Sequence, residues 1–218
     1  MAALKEELVV ALSKAVIALE AEGLPHALVG GVAVGARTEP RVTRDVDFVI
    51  PVVDDADAEL KVLALQRSGF LVESVFERDE GRISTVRTRQ PAAREVFVDF
   101  LLSNPRIEAE IVADASREAV VSTVTCRVAQ PWHLIAMKVL ANRRKDQSDL
   151  GELISRANRS TLAKAEHALR LMSARGAGPK RDLVAELDRH VRSVAGETGE
   201  RKSRDARARR IVARNRAR

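Results

Sequence analysis

Apolar residues along this chain follow two rhythms, and the change of rhythm divides it. From Leu4 to Ala21 they recur at helical spacing, at Leu8, Val9, Leu12, Val16 and Leu19, which predicts an opening helix that stops near Gly23-Leu24-Pro25. Ala27 to Val29 then reads as a strand running into Gly30-Gly31 and a short helix-like stretch. Asp45 to Ile50 alternates as a strand does, and Asp54 to Ser68 reads as a helix stopped by Gly69. Phe70 to Phe76, Arg82 to Arg87 and Val96 to Leu102 read as strands. Asn104-Pro105 opens a short segment, and Val124 to Val128 reads as one more strand. Pro131 suits the first turn of a helix. Helical patterns dominate from there, with breaks at Asn158-Arg159-Ser160 and Gly176-Ala177-Gly178-Pro179. The chain is therefore expected to be α+β: a mixed sheet with flanking helices over residues 1–129, a helical half over 130–195, and a basic tail over 196–218.

Within the strand Asp45-Val46-Asp47-Phe48-Val49-Ile50, side chains alternate between faces. Asp45 and Asp47 share one face, while Val46, Phe48 and Ile50 share the other and can be buried. Two neighbouring carboxylates repel unless a cation lies between them. Hard oxygen ligands suit Mg²⁺, which takes one or two carboxylates plus substrate phosphates. Gly30-Gly31 at a strand-to-helix junction would let backbone N–H groups approach a phosphate, at a helix end that favours anions. The segment Glu95 to Leu102 is apolar on both faces and reads as a central strand, with Asp99 inside it. A lone buried carboxylate costs several kcal/mol or shifts its pKa, which a shared metal would resolve. A salt bridge to an arginine is the other way to satisfy Asp99. In a two-metal site, ions roughly 4 Å apart would bind the attacking and leaving oxygens of an in-line displacement. Phosphate cradle and metal carboxylates together point to phosphoryl or nucleotidyl chemistry.

Gly-Gly, then Asp-x-Asp on a strand, then a lone Asp on a later strand, resembles the DNA polymerase β-type nucleotidyltransferase superfamily. Within it, the chain is more similar to the AbiEii/AbiGii-type toxin nucleotidyltransferases. Arg41-Val42-Thr43-Arg44-Asp45-Val46-Asp47 is similar to their Arg-x-Thr-x-Asp-x-Asp segment. Pro131-Trp132-His133-Leu134-Ile135-Ala136-Met137-Lys138 is similar to their helix ending in Lys. Arg144-Lys145-Asp146-Gln147-Ser148-Asp149-Leu150 is similar to their basic-Asp-x-x-Asp-Leu motif. The likeness spans about Leu24 to Leu153. Many relatives have Gly-Ser where this chain has Gly30-Gly31. The resemblance implies a polymerase β-like mixed sheet and transfer of a nucleoside monophosphate from an NTP, releasing pyrophosphate. It implies Asp45, Asp47 and Asp99 as ligands of two Mg²⁺ ions, and Gly30, Gly31 and Lys138 on the triphosphate. It also raises Arg41, Thr43, Asp146 and Asp149 to nucleotide-site candidates. It further implies an RNA acceptor, with tRNA 3′ ends foremost, and a cognate antitoxin as partner.

Read from the residues alone, several of these positions have plainer roles. Lys138, beside Leu134 and Ile135, could snorkel at a helix edge, although a buried ammonium wants an anion. Asp146 and Asp149 fit a helix start, with Asp146 as N-cap and Asp149 in the first turn. Arg41 and Thr43 could hold phosphate or order the loop. The four histidines lie apart, without ligand spacing.

Composition narrows the field. With one Trp and no Tyr, a base-stacking platform is disfavoured. Cys126 is alone, so a disulfide framework or cysteine zinc site is excluded. No apolar run approaches a membrane span, and Lys5, Glu6 and Glu7 interrupt any signal-peptide pattern, so a reducing cytoplasm is expected. The net charge of +6 is uneven. Arg201 to Arg218 hold nine basic residues and one Asp, a tail of +8, leaving the remainder at about −2. Such a tail is a handle for a polyanion or a solvated helix end. The competing readings are a nucleotidyltransferase acting on a small molecule such as an aminoglycoside, and a catalytically silent nucleic-acid-binding protein. The three carboxylates argue against the latter.

Overall fold

A computed structural model describes residues 2–39, 43–78, 81–102, 106–121 and 124–196. Helix α1 (Ala2–Ala21) leads into β1 (Ala27–Val29), α2 (Gly30–Arg37) and β2 (Asp45–Val49). Then come α3 (Asp55–Arg67), β3 (Leu71–Glu77), β4 (Ile83–Gln90) and β5 (Ala93–Leu101). After α4 (Glu108–Asp114) the chain forms β6 (Ser116–Val121) and β7 (Val124–Val128). The remainder is helical: α5 (Pro131–Ala141), α6 (Asp146–Arg156), α7 (Arg159–Ala174) and α8 (183–196). The seven strands make one mixed sheet in the order β3-β4-β5-β2-β1-β7-β6.

Central β2 runs parallel to β5 and antiparallel to β1, and β1 runs parallel to β7. Strand alternation splits the middle of the sheet. Val46, Phe48, Val98 and Phe100 are fully buried on one face. There Phe48 stacks on Phe100 with centroids 6.3 Å apart, and Phe70 meets Phe100 edge-on at 5.3 Å. Such aromatic pairs add about 0.5–1.5 kcal/mol each beyond their burial. Helix α1 packs across β5, β2 and β7. Helix α2 packs on β1, β2 and β6, and joins α5 and α6.

The helix boundaries follow local chemistry. Asp54 caps α3 by accepting from the Asp57 N–H at 2.8 Å, and Asn158 caps α7 by accepting from Thr161 N–H at 2.8 Å. Pro131 occupies the first turn of α5, and Asn142 ends it in the left-handed conformation. Arg37, at the end of α2, donates to the carbonyls of Val128 and Ala129 and to Glu118 and Ser116. This one guanidinium fastens α2 to the β6–β7 hairpin.

Two expectations need correction. The short edge strand β6 was not expected; its residues alternate between half-buried and exposed, so it carries only a weak apolar signal. Asp146 is the first residue of α6 and not its N-cap: Lys145 occupies that position, and no side chain caps the helix. Arg41 and the basic tail lie outside the described residues.

Candidate active site

A single row of cross-strand partners organises the site. Arg87 on β4 pairs with Asp99 on β5, Asp99 with Asp47 on β2, and Asp47 with Val29 on β1. Strand partners stand side by side on one face, so the register brings two of the predicted carboxylates together. Asp45 lies two residues along β2, on the same face and opposite Phe97. The chain turns into α2 immediately after Val29.

Gly30 begins α2 at φ +67°, a left-handed conformation that favours glycine. A Cβ built on Gly30 would lie 1.9 Å from Asp47 Oδ2. The missing side chain is therefore the space in which the Asp47 carboxylate sits. Gly31 is buried in the first turn of the helix. Val29, the N-cap of α2, offers no side-chain acceptor, so the first-turn backbone N–H groups are uncapped at the end of the helix that abuts Asp47. Thr43 Oγ1 donates to the Asp45 carbonyl at 3.3 Å, so Thr43 orders the entry to β2.

The electrostatics are those of too much negative charge in too little water. Burial, then the charges of Asp99 and Asp45, push the Asp47 carboxyl up to about 7; Lys138 and Arg143 oppose the rise. Asp99, 8% exposed, has both oxygens taken by Arg87: Nε donates to Oδ1 at 2.8 Å and Nη2 to Oδ2 at 2.7 Å. The salt bridge weighed as an alternative from the sequence is thus present. Among the described residues no three acidic, histidine or cysteine side chains form a ready-made cage for a metal. The donor set nonetheless suits Mg²⁺: Asp47 and Asp99 stand in register with Asp45 on the same face, all are hard oxygen donors, and the penalty for ionising Asp47 is one a cation would relieve.

Lys138 is 7% exposed, and the anion it meets is a pair of carboxylates. Its Nζ lies 2.5 Å from Asp146 Oδ1 and 2.7 Å from Asp149 Oδ2. Both aspartates are buried, at 2% and 3% exposure. Burial alone would raise the Asp146 carboxyl, but hydrogen bonds from Arg143 and Lys138 outweigh it and hold it below the usual range. These contacts form an internal cluster joining α5 to α6. Lys138 does not snorkel, being buried, while Asp149 lies in the first turn of α6 as the helix-start reading expects.

Two residues not anticipated belong to the neighbourhood. Arg87 is one, and nothing short of the β4–β5 register would have found it. Arg143 is the other: it donates to Asp146 Oδ2 at 2.7 Å, is otherwise exposed, and its charge acts on Asp47. It opens an exposed basic run, Arg143-Arg144-Lys145, at the α5–α6 turn.

No protein-family model and no curated protein matches this sequence. Solved structures do match its fold. An antigenic nucleotidyltransferase-like protein from Paracoccidioides brasiliensis aligns with a TM-score of 0.50 at 19% identity, over 84% of this chain and 93% of that one. Antibiotic-resistance factor ANT(2'')-Ia aligns at 0.46 and 16% identity, over 92% of this chain and 97% of its own. Lincosamide antibiotic adenylyltransferase LnuA aligns at 0.46 and 14%, over 70% and 97%. The chain has a nucleotidyltransferase fold: a mixed α/β sheet followed by a helical C-terminal part.

Proposed function

We propose that this protein is a Mg²⁺-dependent nucleotidyltransferase that moves a nucleoside monophosphate from an NTP to an RNA acceptor, with release of pyrophosphate. The observation that carries the reading is the register of Asp47 and Asp99 beside the uncapped start of α2. Carboxylates and an uncapped helix start thus lie side by side, as a metal-bound triphosphate requires.

Asp45 and Asp47 would hold both Mg²⁺ ions, and Asp99 the catalytic one. Bound there, Mg²⁺ supplies charge neutralisation at the triphosphate and acidifies the attacking hydroxyl. The residues of the chain do the rest. The N–H groups of Gly30 and Gly31 bind phosphate oxygens, and Gly30 keeps Asp47 in place. Asp99 orients the acceptor hydroxyl and helps to remove its proton. Lys138, Asp146 and Asp149 clamp α6 to α5, so that Arg143 stands near Asp47 and the phosphates. Thr43 orders the entry to the metal strand, and Arg41 precedes Thr43 by two residues in the sequence. In this assignment residues 1–129 carry the chemistry, 130–195 shape its wall, and the tail beyond binds the acceptor.

The RNA acceptor is supported by charge: a tail of +8 on a body near −2, and the exposed run Arg143-Arg144-Lys145 beside the site. The narrower reading is a toxin of the AbiEii type that modifies tRNA 3′ ends, is restrained by an antitoxin and works in the cytoplasm. It is supported by the motifs around Asp45, Lys138 and Asp146. Among the described residues no helix is long and apolar enough to cross a membrane. Purified protein should be incubated with each labelled NTP and Mg²⁺, with tRNA, an aminoglycoside or no acceptor. Label on tRNA supports the reading; label on the drug alone moves the acceptor to small molecules, and no label with any acceptor removes the enzyme.

A further inference from the structure

Asp99 cannot bind a metal fully while both its oxygens accept from Arg87. A guanidinium fork on a carboxylate is among the strongest side-chain contacts, and this one is shielded. The Asp99 side chain is 11% exposed and that of Arg87 32%. The guanidinium carbon of Arg87 lies 4.6 Å from the centroid of Phe97, and that of Arg89 lies 4.5 Å from the same ring. Arg89 is held loosely, its Nε 3.4 Å from Glu73 Oε1. This side of the sheet is open: Leu71 and Phe76, which pair with Arg89 and Thr85, are both exposed. Two guanidiniums on an aromatic ring, beside the candidate metal carboxylates and with side chains 32% and 33% exposed, are complementary to phosphate.

We propose that Arg87 is a built-in competitor for Asp99, released when a phosphate of the RNA acceptor, bound beside Arg89 over the Phe97 ring, takes the guanidinium's donors from the Asp99 carboxylate. The third carboxylate then becomes available only when the acceptor is in place. Arg87 is a positioning residue in this scheme: it acts on the metal through Asp99. Such coupling would limit wasteful hydrolysis of NTP in the absence of acceptor. The inference rests on the proposed function, because it takes Asp99 as a metal ligand.

Mn²⁺ binding to the full chain, read from the paramagnetic signal of the free ion without nucleotide, tests it. The wild type should bind one ion well and a second weakly. Arg87→Gln should bind the second at least tenfold more tightly, and Arg87→Lys should fall between, since it keeps the charge and loses the fork. A short RNA oligonucleotide should tighten the second ion in the wild type and leave Arg87→Gln unchanged. Melting of both variants without metal checks that they are folded. Wild-type and Arg87→Gln isotherms that coincide, with binding that Asp47→Asn abolishes, would overturn this inference and leave the proposed function standing. Absence of any Asp47-dependent Mn²⁺ binding would overturn both. A second ion tightened by Arg87→Gln but not by RNA would overturn the coupling to the acceptor.

Discussion

Replacing Asp47 with Asn should stabilise the metal-free protein, and the gain should depend on pH in a way that identifies its cause. In the folded chain the Asp47 carboxyl titrates near 7, against 3.8 unperturbed, chiefly because it is buried and faces Asp99 and Asp45. Below about pH 4 it is protonated in both states and costs nothing. Between about 4 and 7 the unfolded chain releases the proton while the folded chain keeps it, so stability falls as pH rises. Above 7 the full penalty is present. A rise from 3.8 to about 7 corresponds to about 4 kcal/mol, an upper bound because the residue as a whole keeps partial exposure. Asn keeps the shape and removes the charge. For a chain of this size each kcal/mol moves Tm by about 2–4 °C. Asp47→Asn should therefore melt about 5–15 °C above the wild type at pH 8 in a chelator, with the gap closing toward pH 4. Added Mg²⁺ should raise the wild-type Tm and leave the variant where it is. A variant that melts at or below the wild type at pH 8, with a gap indifferent to pH, would refute the charge-crowding argument.

Three further expectations follow from neighbouring residues. Lys138→Ala removes the buried ammonium that two buried carboxylates share and should lose about 3 kcal/mol in urea unfolding; removing the charges of Asp146 and Asp149 in the same chain should restore most of it, and an unchanged midpoint for the single variant would dissolve the cluster. Gly30→Ala should both lower Tm and weaken Mg²⁺ binding, because its methyl would occupy the place of Asp47 Oδ2, whereas Gly23→Ala, at φ +63° with nothing within 4 Å, should cost only the backbone strain of about 1–2 kcal/mol; equal Mg²⁺ affinity in the two variants would remove Gly30 from the site. Truncation after Glu200 should raise the KM for RNA and flatten its salt dependence with little change in kcat; an unchanged salt slope would leave the tail as a solvated end.

Much of the fold is legible in the sequence where local chemistry decides it. Apolar alternation around Asp45 and Asp47, and the two-faced run around Asp99, give β2 and β5 because strand periodicity needs no partner to be seen. Gly30-Gly31 marks the β1–α2 turn because a left-handed backbone favours glycine. The parts that escaped depend on partners far apart in the chain. Arg87 meets Asp99 only through the β4–β5 register, which twelve residues of sequence do not specify. Asp146 and Asp149 carry an ordinary helix-start signature, and only the packing of α6 on α5 turns them toward Lys138. The edge strand β6 was missed because half of its side chains face water, which leaves little apolar pattern to read.

The central claim is that Asp45, Asp47 and Asp99 form one metal-dependent transfer site. Its most direct test is incorporation of α-labelled NTP into tRNA by the purified full chain, with Mg²⁺ or chelator, for the wild type and for Asp45→Asn, Asp47→Asn and Asp99→Asn. The expected result is Mg²⁺-dependent labelling of the 3′ end by the wild type, and loss of it in all three folded variants. Labelling in chelator, or near-normal turnover by any one of the three variants, would contradict it.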